Sequence, residues 1–274
     1  MNSDDKINQT VESIITEIKP LDEKEALKQI WDEAEGLQTI LKKNPVIMMM
    51  AGNIGLGKTT TAKIISTFGK ITIDIEDPHK ELLKLYYENM GFYAERLQID
   101  LICQRLNQIV VNSLLYPDSS ISYDRSPYED PLIFAQALLN HEQISRESLD
   151  FCCEYFMIKK RELEGKYPEV QFEPDLLIIL KARVESGWAR VHVRQRAIEV
   201  RKDRKKGRGL TKEFYRLLDG YCNALPSELR RKNWYQGPIL TLAEDKLAVA
   251  DVTNIKGQLY VVKSVKETLK IIYS

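Results

Sequence analysis

Val46-Ile47-Met48-Met49-Met50-Ala51-Gly52-Asn53-Ile54-Gly55-Leu56-Gly57-Lys58-Thr59-Thr60 is the stretch that decides the architecture. Its first six residues are apolar and run into glycine, which predicts a short parallel strand buried on both faces. Gly52 to Thr59 then fits G-x-x-x-x-G-K-[ST] with nothing missing, and a helix-compatible segment opens at Lys58. The glycines let the main chain wrap closely around an anion. Successive N–H groups point inward, and the helix N-terminus adds positive potential. We therefore expect a nucleoside triphosphate, ATP or another NTP, to be cradled by Gly52, Asn53, Ile54, Gly55, Leu56, Gly57, Lys58, Thr59 and Thr60. Lys58 is placed to reach the β- and γ-phosphates, and the Thr59 hydroxyl to ligate Mg²⁺.

Outward from this loop the chain alternates. Further short apolar strands are expected at 70–75, 120–123, 175–180 and 239–242. Helical spacing fills the intervals at 79–88, 94–115, 133–139, 145–164 and 260–272, with charged helices on both sides of 202–209. This predicts an α/β fold: a P-loop three-layer sandwich with a five-stranded parallel sheet and helices on both faces. Residues 1–44 show helical apolar spacing broken at Pro20, with Asp22 and Glu25 set as a capping box. We expect an N-terminal helical extension over 1–44 and the main domain over 45–274, with an arginine-rich lid at about 188–210. The extension carries no visible chemistry; its expected role is packing or oligomer contact.

The chain has 274 residues, enough to bury a core without disulfides or metals. Lys plus Arg equals Asp plus Glu at 40 each, so no net field draws in nucleic acid or an anionic membrane, and neither is expected as a partner. Cys103, Cys152, Cys153 and Cys222 show no C-x-x-C spacing. With His79, His141 and His192 they make no zinc pattern, and buried thiols in a reducing compartment are expected. The polar, acidic start does not read as a secretory signal and the run at 46–51 is too short to span a bilayer, so a cytoplasmic protein is expected.

A phosphate cradle does not name the acceptor. In an open parallel sheet the loops at the carboxyl ends of strands line the ligand crevice. Asp124-Arg125-Ser126 follows the third strand, where an acid and a base can serve Mg²⁺ and an acceptor hydroxyl; a surface ion pair is the alternative. Glu76-Asp77-Pro78 ends the second strand, where a carboxylate can accept a proton from an attacking hydroxyl; solvated acids in a turn are the alternative. Arg190, Arg194 and Arg196, with Glu199, are spaced to form a lid over the γ-phosphate. The basic run 201–208 reads as a solvated face.

Taken in order, these segments resemble the deoxynucleoside kinase family, most of all its bacterial-type deoxyadenosine/deoxyguanosine kinases, over about residues 45–245. The family's loop reads GNIGxGKTT; Gly52 to Thr60 read GNIGLGKTT. The family carries a Glu-Pro after the second strand, its glutamate acting as base on the sugar 5′-hydroxyl. Here that stretch is Glu76-Asp77-Pro78, which puts the role on Glu76 while leaving Asp77 as the neighbour of proline. Tyr87-Glu88-Asn89, Gln98 and Arg105 follow at the family's spacing, and Asp124 to Asp130 is similar to its DRSxYxD segment.

The resemblance implies that Tyr87 and Glu199 contact the sugar 3′-hydroxyl. Gln98, Arg105 and Asp130 read a base that is purine or cytosine before thymine, and Arg125 holds the hydroxyl and the base carboxylate together. Asp124 and Thr59 position Mg²⁺, while Lys58, Arg190, Arg194 and Arg196 stabilise the transferring phosphoryl group. It also implies a homodimer through a bundle that includes the helix at 98–115. Residues 1–44, the basic stretch 200–208 and the segment 246–258 depart from the family pattern, which leaves the phosphate donor open. A nucleoside monophosphate kinase and a non-catalytic nucleotide-binding scaffold are the rival readings.

Overall fold

In a computed structural model of the protein, residues 3–194, 210–243 and 254–274 are described. Five parallel strands form one sheet in the order β2-β3-β1-β4-β5. They are β1 (Ile47–Gly52), β2 (Thr72–Asp74), β3 (Ile121–Tyr123), β4 (Leu176–Lys181) and β5 (Ile239–Ala243). Period-two alternation divides each central strand between two cores. Met48, Met50, Leu176, Ile178 and Leu180 enter one apolar cluster; Met49, Ala51, Leu177 and Ile179 enter the other. The first layer holds α1 (Ser3–Ile18), α2 (Glu23–Lys43), α3 (Lys58–Gly69) and α10 (Ile255–Ile272). The second holds α4 (Lys80–Glu88), α5 (Met90–Leu115), α7 (Arg146–Lys166) and α9 (Lys212–Arg231). A π turn (Asp130–Phe134) leads into α6 (Ala135–Asn140), and α8 (Val184–Arg194) follows β4. The expected three-layer sandwich is the observed one.

The boundaries shift for local reasons. The strand expected from residue 70 starts at Thr72, because Lys70 adopts φ 56° to end α3 and its N–H bonds to the Ser66 carbonyl. The helix expected from 94 begins at Met90, where the Asn89 side chain accepts the Phe92 N–H. The helix expected from 260 begins at Ile255, since the Asn254 side chain accepts the Gly257 N–H at 2.8 Å. The segment expected as a helix at 133–139 is split between the π turn and α6.

The extension joins the sheet's helical layer. Ile7, Val11, Ile14, Ile18, Ala26, Ile30, Leu37 and Leu41 share one apolar cluster with α3, α10 and the strands. Asp22 and Glu25 close a reciprocal capping box, at 2.8 and 3.0 Å. Near the start of α1, Asp4 accepts the Ile239 N–H of edge strand β5 at 3.3 Å and pairs with Arg230 at 2.8 Å, so this helix covers an otherwise open sheet edge. Among the described residues, no helix is long and apolar enough to cross a membrane.

Leu37 is fully buried and lies near Gly69 of α3, whereas Leu27 on the same helix is half exposed. Leu37→Ala is expected to lower unfolding stability by about 2–5 kcal/mol, and Leu27→Ala by roughly 1 kcal/mol or less. Urea unfolding of the two variants checks this; equal losses would mean that α2 does not share the main core.

Candidate functional site

The cradle lies at the carboxyl end of β1. Gly52 has φ 141°, and a Cβ there would sit 2.7 Å from the Leu180 carbonyl oxygen, so only glycine lets β1 pass β4 at this point. Gly57, at φ 81°, precedes the first turn of α3, which carries Lys58, Thr59 and Thr60. The Lys58 ammonium donates to the carbonyls of Gly52 (2.5 Å) and Asn53 (2.7 Å). Burial, followed by the nearby Arg125 charge, brings its pKa down to about 8.

The loop is held from α9. Asn53 Nδ2 donates to the Tyr215 carbonyl at 3.1 Å, Asn53 Oδ1 accepts the Ile54 N–H at 2.8 Å, and the Tyr215 hydroxyl donates to the Ile54 carbonyl at 2.9 Å. Helix α8 is pressed against the same place. A Cβ on Gly187 would lie 2.0 Å from the Tyr215 hydroxyl, and one on Gly55 would lie 3.0 Å from Val191. Arg190 sits on this helix and Arg194 ends it. The Arg194 side chain, Arg196, Glu199 and the basic stretch lie outside the described residues.

The Thr59 hydroxyl donates to Asp124 Oδ2 at 2.8 Å, while Asp124 Oδ1 is buried without a hydrogen-bond partner. A hydroxyl and a carboxylate with a spare buried oxygen fit a hard cation. Among the described residues no group of three His, Cys, Asp or Glu side chains could hold a metal on its own. Mg²⁺ suits such a place, since it takes one or two carboxylates and completes its shell with water and phosphate oxygens.

Beyond β2, Glu76 turns inward. Its Oε2 accepts from Arg125 Nε at 3.1 Å and its Oε1 pairs with Arg105. Burial pushes its pKa up, but the two guanidiniums outweigh that and hold the carboxyl at about 2. Asp77 turns outward: its side chain is 79% exposed and lies 3.7 Å from Lys80. Of the two acids in Glu76-Asp77-Pro78, the site therefore contains Glu76.

Arg105, on α5, bridges two carboxylates, reaching Asp130 Oδ2 at 2.5 Å as well as Glu76. Asp130 is fully buried, and burial raises its pKa to about 7 against the pull of Arg105. Beside this pair a cavity of about 90 Å³ is lined by Ile54, Tyr87, Gln98, Arg105, Phe134 and Phe214, among others. Gln98 Oε1 and Arg105 Nε are buried there without hydrogen-bond partners. Tyr87, Gln98, Arg105 and Arg125 are thus gathered around one pocket, with Asp130 behind Arg105.

Sequence reading missed two contributors. Phe134 lines the pocket, with the Arg125 guanidinium 5.5 Å above its ring; its place four residues after Asp130 was the available signal. Glu129 is fully buried, and one of its oxygens accepts both the Gly52 N–H (3.0 Å) and Arg125 Nη1 (3.1 Å). Ser126-Pro127-Tyr128-Glu129 carries the S-x-x-E signature of a helix start, which would have singled it out.

A deoxynucleoside kinase family profile matches residues 48–264. No curated protein sequence is significantly similar to the chain. Among solved structures, deoxyadenosine kinase from M. mycoides with bound dATP superposes at a TM-score of 0.59 with 20% identity, over 78% of this chain and 95% of that one. The same enzyme with bound dCTP gives 0.57 and 19%, over 78% and 94%. At such identities these structures establish a shared fold. The profile reaches from β1 into α10 and covers well over half of the sequence; the chain belongs to the deoxynucleoside kinase family and is a kinase.

Proposed function

We propose that this kinase transfers the γ-phosphoryl group of ATP, or another nucleoside triphosphate, to the 5′-hydroxyl of a deoxynucleoside in nucleotide salvage. Its acceptor base carries an exocyclic amine, as in deoxyadenosine, deoxyguanosine or deoxycytidine. The observation that carries the base preference is the pair of unpartnered buried atoms at the pocket, Gln98 Oε1 and Arg105 Nε, backed by Asp130. They offer an acceptor beside a donor, the complement of an amine next to a ring nitrogen. Thymine presents a carbonyl where the amine would be, against the Gln98 oxygen that faces the pocket.

Glu76 orients the 5′-hydroxyl and takes its proton as the new O–P bond forms; Arg125 fixes the carboxylate in place. A carboxyl held at about 2 is a weak base. Phosphoryl transfer tolerates this, because it relies on positioning and electrostatics more than on a strong nucleophile. Lys58 and Arg190, with Arg194 and Arg196, answer the charge on the transferring group. Thr59 and Asp124 would hold Mg²⁺, which neutralises the β- and γ-oxygens when bound. Tyr87 and Glu199 are assigned to the sugar 3′-hydroxyl. The cavity of about 90 Å³ is below the roughly 300 Å³ of common ligand sites. It adjoins a second cavity of about 430 Å³ that shares Glu76, Leu101, Arg105 and Arg125.

An acceptor that already bears a phosphate would need surplus positive charge. Arg105 and Arg125 are instead matched by the buried carboxylates of Glu76, Glu129 and Asp130, which favours an uncharged acceptor over a nucleoside monophosphate. The exposed apolar residues Val111, Leu114 and Leu115 of α5, with Phe151 and Ile158 of α7, support pairing of two copies through these helices.

ADP release with ATP·Mg²⁺ against four deoxynucleosides and their monophosphates tests the reaction. Deoxyadenosine, deoxyguanosine or deoxycytidine should exceed thymidine in kcat/KM by about tenfold or more; turnover with monophosphates alone would sink the reading. Glu76→Gln is expected to lower kcat by about 10²–10⁴-fold, with Asp77→Asn close to the wild type, and the reverse order would reassign the base. Activity that needs ionised Glu76 should persist as pH falls through the ordinary carboxylate range, since its depressed pKa keeps it charged there. Sedimentation of Ile158→Glu should show a monomer where the wild type is a dimer.

A further inference from the structure

Glu129 has no part in the chemistry described above, yet it is as buried as any residue in the site. A capping-box glutamate returns one oxygen to its own helix start and is otherwise solvated. Here Oε2 does so, accepting the Ser126 N–H at 3.3 Å. Its other oxygen, Oε1, leaves the local turn. It accepts the N–H of Gly52, 77 residues away, at 3.0 Å, and Arg125 Nη1 at 3.1 Å. Local capping requires neither contact. The first joins Glu129 to the opening residue of the phosphate cradle. The second joins it to the guanidinium whose Nε holds Glu76 Oε2 at 3.1 Å.

We infer that Glu129 is a positioning residue: it fixes the acceptor carboxylate Glu76, through Arg125, relative to the phosphate loop, through Gly52. The chain Gly52–Glu129–Arg125–Glu76 runs from one reacting partner's cradle to the other's orienting group in three hydrogen bonds. Its members are buried or part-buried, which limits drift in the spacing. Transfer between two separately bound substrates depends on that spacing, and a displacement of about an ångström can cost roughly 10²-fold in rate. The carboxylate is required chemically. Both oxygens receive N–H donors, three in all, and none of the three groups can accept. A glutamine offers one acceptor oxygen, so either orientation of its amide sets N–H against N–H.

The inference rests on the proposed acceptor reaction, and a two-by-two comparison of wild type, Glu129→Gln, Glu76→Gln and the double variant separates the two. Glu129→Gln should lower kcat at least about tenfold while KM for ATP and for the nucleoside each stay within about threefold. In the Glu76→Gln background the same change should add little, because the residue it positions is already gone. A merely structural glutamate would act additively and would raise both KM values. Should Glu129→Gln not fold, Glu129→Asp carries the test, since it keeps the charge but withdraws it by one methylene. Wild-type kcat in either folded variant overturns the inference, as does additivity in the double variant. Failure of both variants to fold assigns Glu129 to the fold and overturns it too. A wild-type protein that phosphorylates no nucleoside sinks the reaction and the inference together.

Discussion

Everything at the site depends on matching buried charge. Lys58, Arg105 and Arg125 lie within a few bonds of Glu76, Asp124, Glu129 and Asp130, and most of these groups are almost wholly withdrawn from water. An unpaired ion in such a place is strongly destabilising, whereas a matched one is close to neutral for the fold. The residues therefore specify one another. Arg125 is held by Glu129 on one side and Glu76 on the other, and Arg105 is held by Asp130 and Glu76. Such a network gains geometry more than stability, which is what a phosphoryl-transfer site needs.

The sheet delivers these groups to one place because parallel strands end on the same side. Gly52 ends β1, Asp124 and Arg125 follow β3, Glu76 follows β2, and α8 follows β4. The helices complete the ring: α5 supplies Gln98 and Arg105, and α9 supplies Tyr215 to brace the loop. The extension works from the far layer, where α1 and α2 cover α10 and the β5 edge.

How much of this was legible depended on whether the signal was local. The cradle, its entering strand and its leaving helix are written in consecutive residues. The approach of Asp124 and Arg125 to the cradle followed from strand ends on a parallel sheet, whereas the pairing of Arg105 with Asp130 was implied by the family resemblance alone. Choosing between Glu76 and Asp77 was beyond sequence, since adjacent carboxylates differ only in which way the chain turns after a three-residue edge strand. Glu129 is legible only in part. Its S-x-x-E signature marks a helix start, but only the fold brings Gly52 to its second oxygen. Helices α5 and α10 start earlier than apolar spacing alone indicates, at the asparagine caps 89 and 254.

The Lys58 contacts show how the same charges hold the cradle ready. Its ammonium is drawn onto the carbonyls of Gly52 and Asn53, inside the loop it serves. Burial and Arg125 work against its charge, while Glu129 and Asp124 support it. Two carbonyl hydrogen bonds are weak anchors for a desolvated cation compared with phosphate oxygens. The lysine rests on two main-chain oxygens, whereas Glu129 and Arg125 are held from several directions. In the proposed reaction Lys58 serves the donor, while Arg125 and Glu76 serve the acceptor. A phosphoryl group in transit needs that division: its oxygens move with it, while the hydroxyl it meets must already be in place.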